Sequence, residues 1–513
     1  MTGGSENGLS PADPGRAGGN TAPGIGTALV RLSLVIVLLY AGLAAGLGWW
    51  QIVQAGPLTA DPANPLSQAA ERSAPRGTIY DSQGVVVAQT VGSAQARTRR
   101  YPYPEMAPIV GYKSLLFGTS GLENAWNSEL IGLDQSGAAD QLLRKFRADP
   151  YDPSDLHLSV DLRLQQEAVR LLGNDRGAVV AIEPSTGRIL AMASTPSFDP
   201  NQLADISTAR DYLDQLRANP GSPLLNRATQ GLYVPGSVFK MVTATAALES
   251  GSITPQTTYD RQPAQYRTGF KVQGFTIHDA PRTVQLDHPL TFPEATEVSS
   301  NIYFAHVALD TGAANLQRWA AALGFGQPIP FELPTSTSQV TDGNGPLDGF
   351  QDQVELANAA YGQAQVLATP LQMALVACAI GNNGVLMKPT LVDRLESAAG
   401  RVRTIDPSEI RQAMSANTAA EIRDAMVRAV NGPFSAGYAG GAAVPGVTTA
   451  GKSGTAELGT GRNPNSWFIG FAPADNPQIA VAVIVERAGT GSQRAVPMGG
   501  DLMSLYLRQH SGG

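Results

Sequence analysis

One helical turn separates Ser237 from Lys240 in Pro235-Gly-Ser-Val-Phe-Lys240, a run that continues into an apolar stretch ended by Gly251. Proline and glycine stop the preceding chain, so the serine opens a helix, where residues i and i+3 share a face. A serine attacks a carbonyl only when a base removes its proton. Lysine can be that base if burial and a neighbouring cation pull its pKa below about 10.4. At a helix start the oxygen also meets unpaired N–H groups, which favour developing negative charge. This is the only Ser-x-x-Lys in the chain. A capping serine beside a solvated lysine would give the same pattern.

Lys452-Ser453-Gly454-Thr455 is the second cluster. One cation and two hydroxyls suit a carboxylate, and the small residues let a ligand approach the backbone. If this segment is an edge strand, the N–H of Thr455 joins that of Ser237 as a two-donor oxyanion hole. The chain holds six lysines against thirty arginines, so two lysines in such settings carry weight. Gly446 to Ser453 also satisfies the phosphate-loop expression G-x-x-x-x-G-K-S. Its glycine-rich flanks supply neither the preceding strand nor the following helix that a phosphate cradle needs, and nucleotide binding is rejected on that ground. A third signal is Ser299-Ser-Asn301, placed between two helical runs. Here Ser299 can relay a proton between Lys240 and a leaving amine, and the Asn301 carboxamide can hold a substrate amide. Helix capping is the alternative, and it explains the similar Ser415-Ala-Asn417.

The elements that must position these residues divide unevenly along the chain. Residues 1–31 read as a disordered tail rich in Gly, Ser and Pro. Leu32–Val53 is almost wholly apolar and long enough to span a bilayer, with Trp49 and Trp50 at its far end. A cleavable signal peptide would carry a shorter apolar region and a small-residue site, so an uncleaved anchor is favoured. Arg16 and Arg31 precede the span and Arg72 is the first arginine after it, which places the N-terminus in the cytoplasm. Residues 54–155 form a first exterior region and 156–513 a larger one. In the latter, a helix over 161–172, a hairpin turning at 183–187, a helix over 370–380 capped by Thr369, a helix opened by a capping box at Thr418-Ala-Ala-Glu421, and strands near 466–471 and 479–485 predict an α+β domain whose sheet unites distant segments.

Composition narrows the function classes. A net charge of −7 argues against phosphate neutralisation, hence no nucleic acid partner. One cysteine, Cys378, and five scattered histidines leave no disulfide framework and no metal centre, and no cofactor is implied. Cys378 reads as a buried small hydrophobe, His278 and His306 as structural residues, and Tyr303 and Trp467 as either cleft lining or packing.

In the order Ser237-x-x-Lys240, Ser299-x-Asn301, Lys452-Ser-Gly454, spaced 62 and 153 residues apart, the three clusters resemble the penicillin-recognising serine acyltransferases. Arg76-Gly-Thr-Ile79-Tyr-Asp81-Ser-Gln-Gly84, Gly121-Leu-Glu123, Gly187-Arg-Ile-Leu-Ala-Met, Asn226-Arg-Ala228, Thr369-Pro-Leu-Gln-Met373 and Trp467-Phe-Ile-Gly-Phe narrow the likeness to class B penicillin-binding proteins, most closely the short actinobacterial A type. The resemblance implies a penicillin-recognising transpeptidase fold on a small N-terminal pedestal, with one membrane helix. It also implies a peptidoglycan D,D-transpeptidase that cross-links stem peptides outside the membrane in elongation or division. Ser237 would be the nucleophile, Lys240 its base, Ser299 the relay and Lys452 the electrostatic partner. Asn301, Ser453, Gly454 and Thr455 would bind the stem peptide ending in D-Ala-D-Ala or a β-lactam that mimics it. A membrane glycan polymerase partner is implied by the family alone. Residues 54–155 are too few for the glycosyltransferase domain of a bifunctional enzyme. A β-lactamase would need a deacylating glutamate that is not identifiable, and a β-lactam sensor would need more membrane spans. A non-catalytic scaffold is disfavoured by the intact triplet.

Overall fold

The computed structural model describes residues 25–49, 76–93, 97–132, 152–281 and 287–510, and the chain divides into two units, 1–72 and 73–513. In the first unit, Ile25–Gly48 is one helix, of which Leu29–Gly48 is long and apolar enough to cross a membrane. Its start corrects the expected boundary: residues 25–31, assigned to a disordered tail, are helical. Arginine propagates a helix nearly as well as alanine, so the charge of Arg31 does not end it. Residues 1–24 and 50–53 lie outside the described residues.

In the second unit the main sheet has five antiparallel strands: β1 (Gly177–Ile182), β2 (Ile189–Thr195), β3 (Ala450–Ala456), β4 (Asn465–Ala472) and β5 (Ile479–Val485), in the spatial order β3-β4-β5-β1-β2. The turn at 183–187 joins β1 to β2 as the sequence predicts. A strand covered on both faces must be apolar at every position. In β5, Ile479, Val481, Val483 and Val485 join one core, and Ala480, Ala482 and Ile484 the other. Both faces of β5 are therefore covered, with Ile479 and three valines on one and two alanines and Ile484 on the other.

Six helices matter to the site: α1 (Leu162–Leu172), α2 (Lys240–Glu249), α3 (Asn301–Thr311), α4 (Pro370–Gly381), α5 (Ala416–Asn431) and α6 (Ala495–His510). Helices α1 and α6 share the core of the first face of the sheet, and α2, α3 and α4 that of the second. Asp161 caps α1 by accepting from the amides of Arg163 and Leu164. Thr369 caps α4, and every residue of α4 is buried, Cys378 included. Helix α5 begins two residues before the expected box at Thr418. Ser415 Oγ accepts from Thr418 N at 3.1 Å and takes the capping role, so Thr418 is already inside the helix.

A second, six-stranded sheet draws on both sides of residue 155. Ser154–Leu158 pairs in parallel with Ile79–Tyr80 and antiparallel with Val392–Ser397. Beside it, fully buried Glu123 accepts from Arg76 Nε at 2.5 Å, Arg99 Nε at 2.6 Å and the Tyr101 hydroxyl at 3.1 Å. Two of the short sequence signatures, at 76–84 and 121–123, thus meet in one ion cluster. Burial raises the Glu123 pKa, but the two guanidiniums overcome it and hold the carboxyl at about 2. Removing one member of a buried ion cluster strands the others, so Glu123→Gln is expected to cost about 3–5 kcal/mol. A depressed folded pKa contributes stability above pH 4.5 that is lost as pH falls toward 2. The stability gap between wild type and variant, measured by chemical denaturation, is expected to narrow from pH 7 to pH 3; a constant gap would contradict the account.

Candidate active site

Ser237 lies in a 3₁₀ turn, Gly236–Phe239, that runs into α2. The sequence reading put it in the α-helix itself. The chain passes from this turn into α2 at Lys240, so one turn of mixed 3₁₀ and α geometry separates the two residues. Gly236 has φ +57 and donates its N–H to Gly362 O at 2.9 Å. A Cβ on Gly236 would stand 2.6 Å from Thr455 O, and one on Gly362 would stand 2.1 Å from Gly236 O. Only glycines let the Ser237 turn, the 361–362 segment and β3 close to this distance. Closure brings the backbone at Ser237 beside that at Thr455, on the edge strand of the main sheet.

Lys240 and Lys452 are buried, 0% and 1% exposed. Lys240 Nζ donates to Ser299 O at 2.6 Å, Asn301 Oδ1 at 2.9 Å and Ser299 Oγ at 3.2 Å. From the other side, Lys452 Nζ donates to Ser299 Oγ at 2.8 Å and Ser453 O at 2.8 Å. One hydroxyl therefore sits between two buried amines. Desolvation disfavours an ammonium and lowers the Lys452 pKa to about 7. Ser299 itself has φ +53, a left-handed conformation that costs a non-glycine residue about 1–3 kcal/mol and persists only where its surroundings enforce it. Next to it, Ser300 caps α3 by accepting from Tyr303 N at 3.1 Å. The capping alternative thus holds for Ser300, while the side chain of Ser299 remains in the cleft.

Ser237, Ser299, Asn301, Ser453 and Thr455 line one cleft of about 1010 Å³. Gly454, grouped with the ligand-binding residues in the sequence reading, does not line it. A Cβ there would stand 2.8 Å from Trp467 Cβ and 3.0 Å from Val238 Cγ1, so this glycine serves the packing of the Ser237 turn on the sheet. Thr455 Oγ1 accepts from Gly491 N at 3.2 Å, which leaves its O–H free to donate. Tyr303 and Trp467 are fully buried packing residues; Trp467 Nε1 donates to Val234 O at 3.1 Å, steadying the approach to Ser237. His306 is stacked against Tyr259 and Phe270, a structural place. Lys452 lies within β3, not in a loop before a helix, so the phosphate-loop match has no structural counterpart.

Sequence reasoning missed Asp279 and Gly362. The carboxylate of Asp279 accepts from Ser300 Oγ at 3.0 Å and Ile302 N at 3.0 Å, and His278 O accepts from Asn301 Nδ2 at 3.1 Å. Neither residue sits in a periodic or repeated pattern, and only the contacts reveal them.

The chain matches the family model described as penicillin binding protein transpeptidase domain over residues 177–504, and that described as penicillin binding protein A dimerisation domain over 76–152. It is 37% identical over 506 residues to the peptidoglycan D,D-transpeptidase PbpA of Mycolicibacterium smegmatis, covering 94% of this chain and 100% of that protein. To the protein of the same name in Mycobacterium tuberculosis it is 34% identical over 500 residues, 94% of this chain and 99% of that one. The fold is similar to the imipenem acyl-enzyme complex of penicillin-binding protein A from M. tuberculosis, with a TM-score of 0.75 and 33% identity over 85% of this chain and 99% of that one. A transpeptidase domain filling most of the chain, and relatives matched almost end to end, show that it belongs to the class B penicillin-binding proteins.

Proposed function

We infer that the chain is a serine D,D-transpeptidase that cross-links peptidoglycan stem peptides, and that the amine–hydroxyl–amine chain Lys240–Ser299–Lys452 beside Ser237 is its proton-transfer apparatus. The observation that carries this is the bridging hydroxyl, 3.2 Å from one buried amine and 2.8 Å from the other. Ser237 Oγ attacks the carbonyl of the penultimate D-Ala while Lys240, acting as general base, takes its proton. The N–H groups of Ser237 and Thr455 stabilise the oxyanion. As the C–N bond breaks, the proton passes by way of Ser299 to the leaving amine, and terminal D-Ala departs. The acyl ester on Ser237 is then attacked by an amino group of a neighbouring stem, which forms the cross-link and returns the proton to the serine.

Binding roles follow from the donors left over. Asn301 Oδ1 is taken by Lys240 and one N–H by His278 O, so its second N–H serves the substrate amide. Ser453 and Thr455 hydroxyls take the terminal carboxylate, and Lys452 joins them as electrostatic partner in its protonated state. A β-lactam carries the same carboxylate and a strained amide, and it acylates Ser237 in place of the peptide. The acyl-enzyme complexes of the M. tuberculosis relative with imipenem and penicillin G support this chemistry.

The apolar helix supports a single-pass membrane anchor, and the arginines before it support a cytoplasmic N-terminus with the transpeptidase outside. In that setting the chain works beside a membrane glycan polymerase, a partner supported by the family alone.

Fluorescent penicillin followed by denaturing electrophoresis tests the reading. Wild type is expected to retain label and Ser237→Ala to retain none; labelling of Ser237→Ala would contradict it. Gly236→Ala places a methyl against Thr455 O and forces a disfavoured φ on the turn. Its acylation rate is expected to fall on the order of a hundredfold or more, measured by stopped-flow quenching with the folded protein confirmed by circular dichroism; an unchanged rate would show that the turn tolerates displacement.

A further inference from the structure

We propose that Asp279 is a positioning residue of the transpeptidation site, acting through Ser300 and the start of α3 to hold Ser299 between the two lysines. The inference rests on Ser299 being the proton relay. Three constraints converge on the segment 299–302, and two of them originate in residues 278–279. The Asp279 carboxylate takes the Ser300 hydroxyl with both oxygens, at 3.1 and 3.0 Å, and the Ile302 amide at 3.0 Å. The His278 carbonyl takes Asn301 Nδ2 at 3.1 Å. The third constraint comes from Lys240, through Ser299 O and Asn301 Oδ1.

Chemistry explains why a carboxylate suits this place. The first amides of a helix lack intrahelical partners and favour negative charge, and α3 is capped by a single serine hydroxyl. That hydroxyl accepts from Tyr303 N, so its own proton needs an acceptor, which Asp279 supplies. Removing the carboxylate frees the Ser300 side chain to rotate and leaves Ile302 N without this acceptor. Ser299 stands immediately before, in a left-handed conformation that does not persist without external support. Relaxation of its φ toward the common regions swings Oγ away from Lys240 and Lys452. Asp279 thus sets the geometry of proton transfer from the far side of the turn. Residues 275–281 also line the cleft, and Asp279 ties that wall to the reacting groups.

The test is a double-mutant cycle on the full chain, using benzylpenicillin as the probe. The acylation rate constant and the dissociation constant of the preceding non-covalent complex are read separately. Asp279→Ala is expected to slow acylation on the order of tenfold to a hundredfold with the dissociation constant unchanged. Asp279→Asn, which keeps an acceptor oxygen for Ile302 N, is expected to recover part of that loss at an unaltered melting temperature. In a Ser299→Ala background, Asp279→Ala is expected to add little, because the group it positions is gone. Full additivity of the two changes, a loss confined to the dissociation constant, or an acylation rate of Asp279→Ala or Asp279→Asn equal to wild type would overturn the proposal. Should Ser299→Ala alone acylate at the wild-type rate, the relay reading itself fails, an outcome separate from the failure of the Asp279 inference.

Discussion

Ser299 Oγ is held between Lys240 Nζ and Lys452 Nζ, both excluded from water, and most of the surrounding architecture exists to make that contact possible. An ammonium out of water is costly, and two on either side of one hydroxyl repel. The cheaper state has an amine that has given up its proton, the state a serine nucleophile needs beside it. The pull of Lys452 toward pKa 7 follows from burial alone. Solvation would erase it, since in water a lysine stays charged and useless as a base.

The fold excludes water by bringing together three segments that are remote in sequence. Lys452 belongs to an edge strand of a sheet whose interior strands are apolar at nearly every position. Lys240 opens a helix buried over most of its length. Ser299 lies in a strained turn between two helices. Gly236, Gly362 and Gly454 are the points of closest approach, where any side chain would hold the layers apart. The cleft combines costs that must be offset by the packing around it: a serine held in the left-handed region and two amines buried side by side.

How much of this was legible in the sequence depended on what kind of signal each feature leaves. Helix α4 announced itself through threonine, proline and an unbroken apolar run, and β4 and β5 through their strand-like runs around a proline-bounded turn. The residues that meet in the cleft were legible because the chemistry proposed for them demands fixed types at fixed spacing: a hydroxyl one turn from an amine, a lysine among small residues. Gly454 was misplaced because a glycine demanded by packing and one demanded by a ligand look alike in a string of letters. Asp279 was invisible because its partners are 21 and 23 residues away and the segment has no period. For the start of α5 the sequence offered both a capping Ser415 and a capping box at Thr418, and the geometry bears out Ser415, which accepts from Thr418 N. The start of the membrane helix was misjudged because a charge marks an interface in composition but does not stop a helix.

Lysine side-chain NMR tests the central claim most directly, and a chain with only six lysines makes the spectrum tractable. With lysine selectively labelled at the ζ-nitrogen, the resonance removed by Lys452→Met is expected to titrate near pH 7, so that a neutral amine is present under working conditions. If that resonance instead titrates above pH 10 with the other exposed lysines, Lys452 is solvated and charged, and the buried-amine account is wrong.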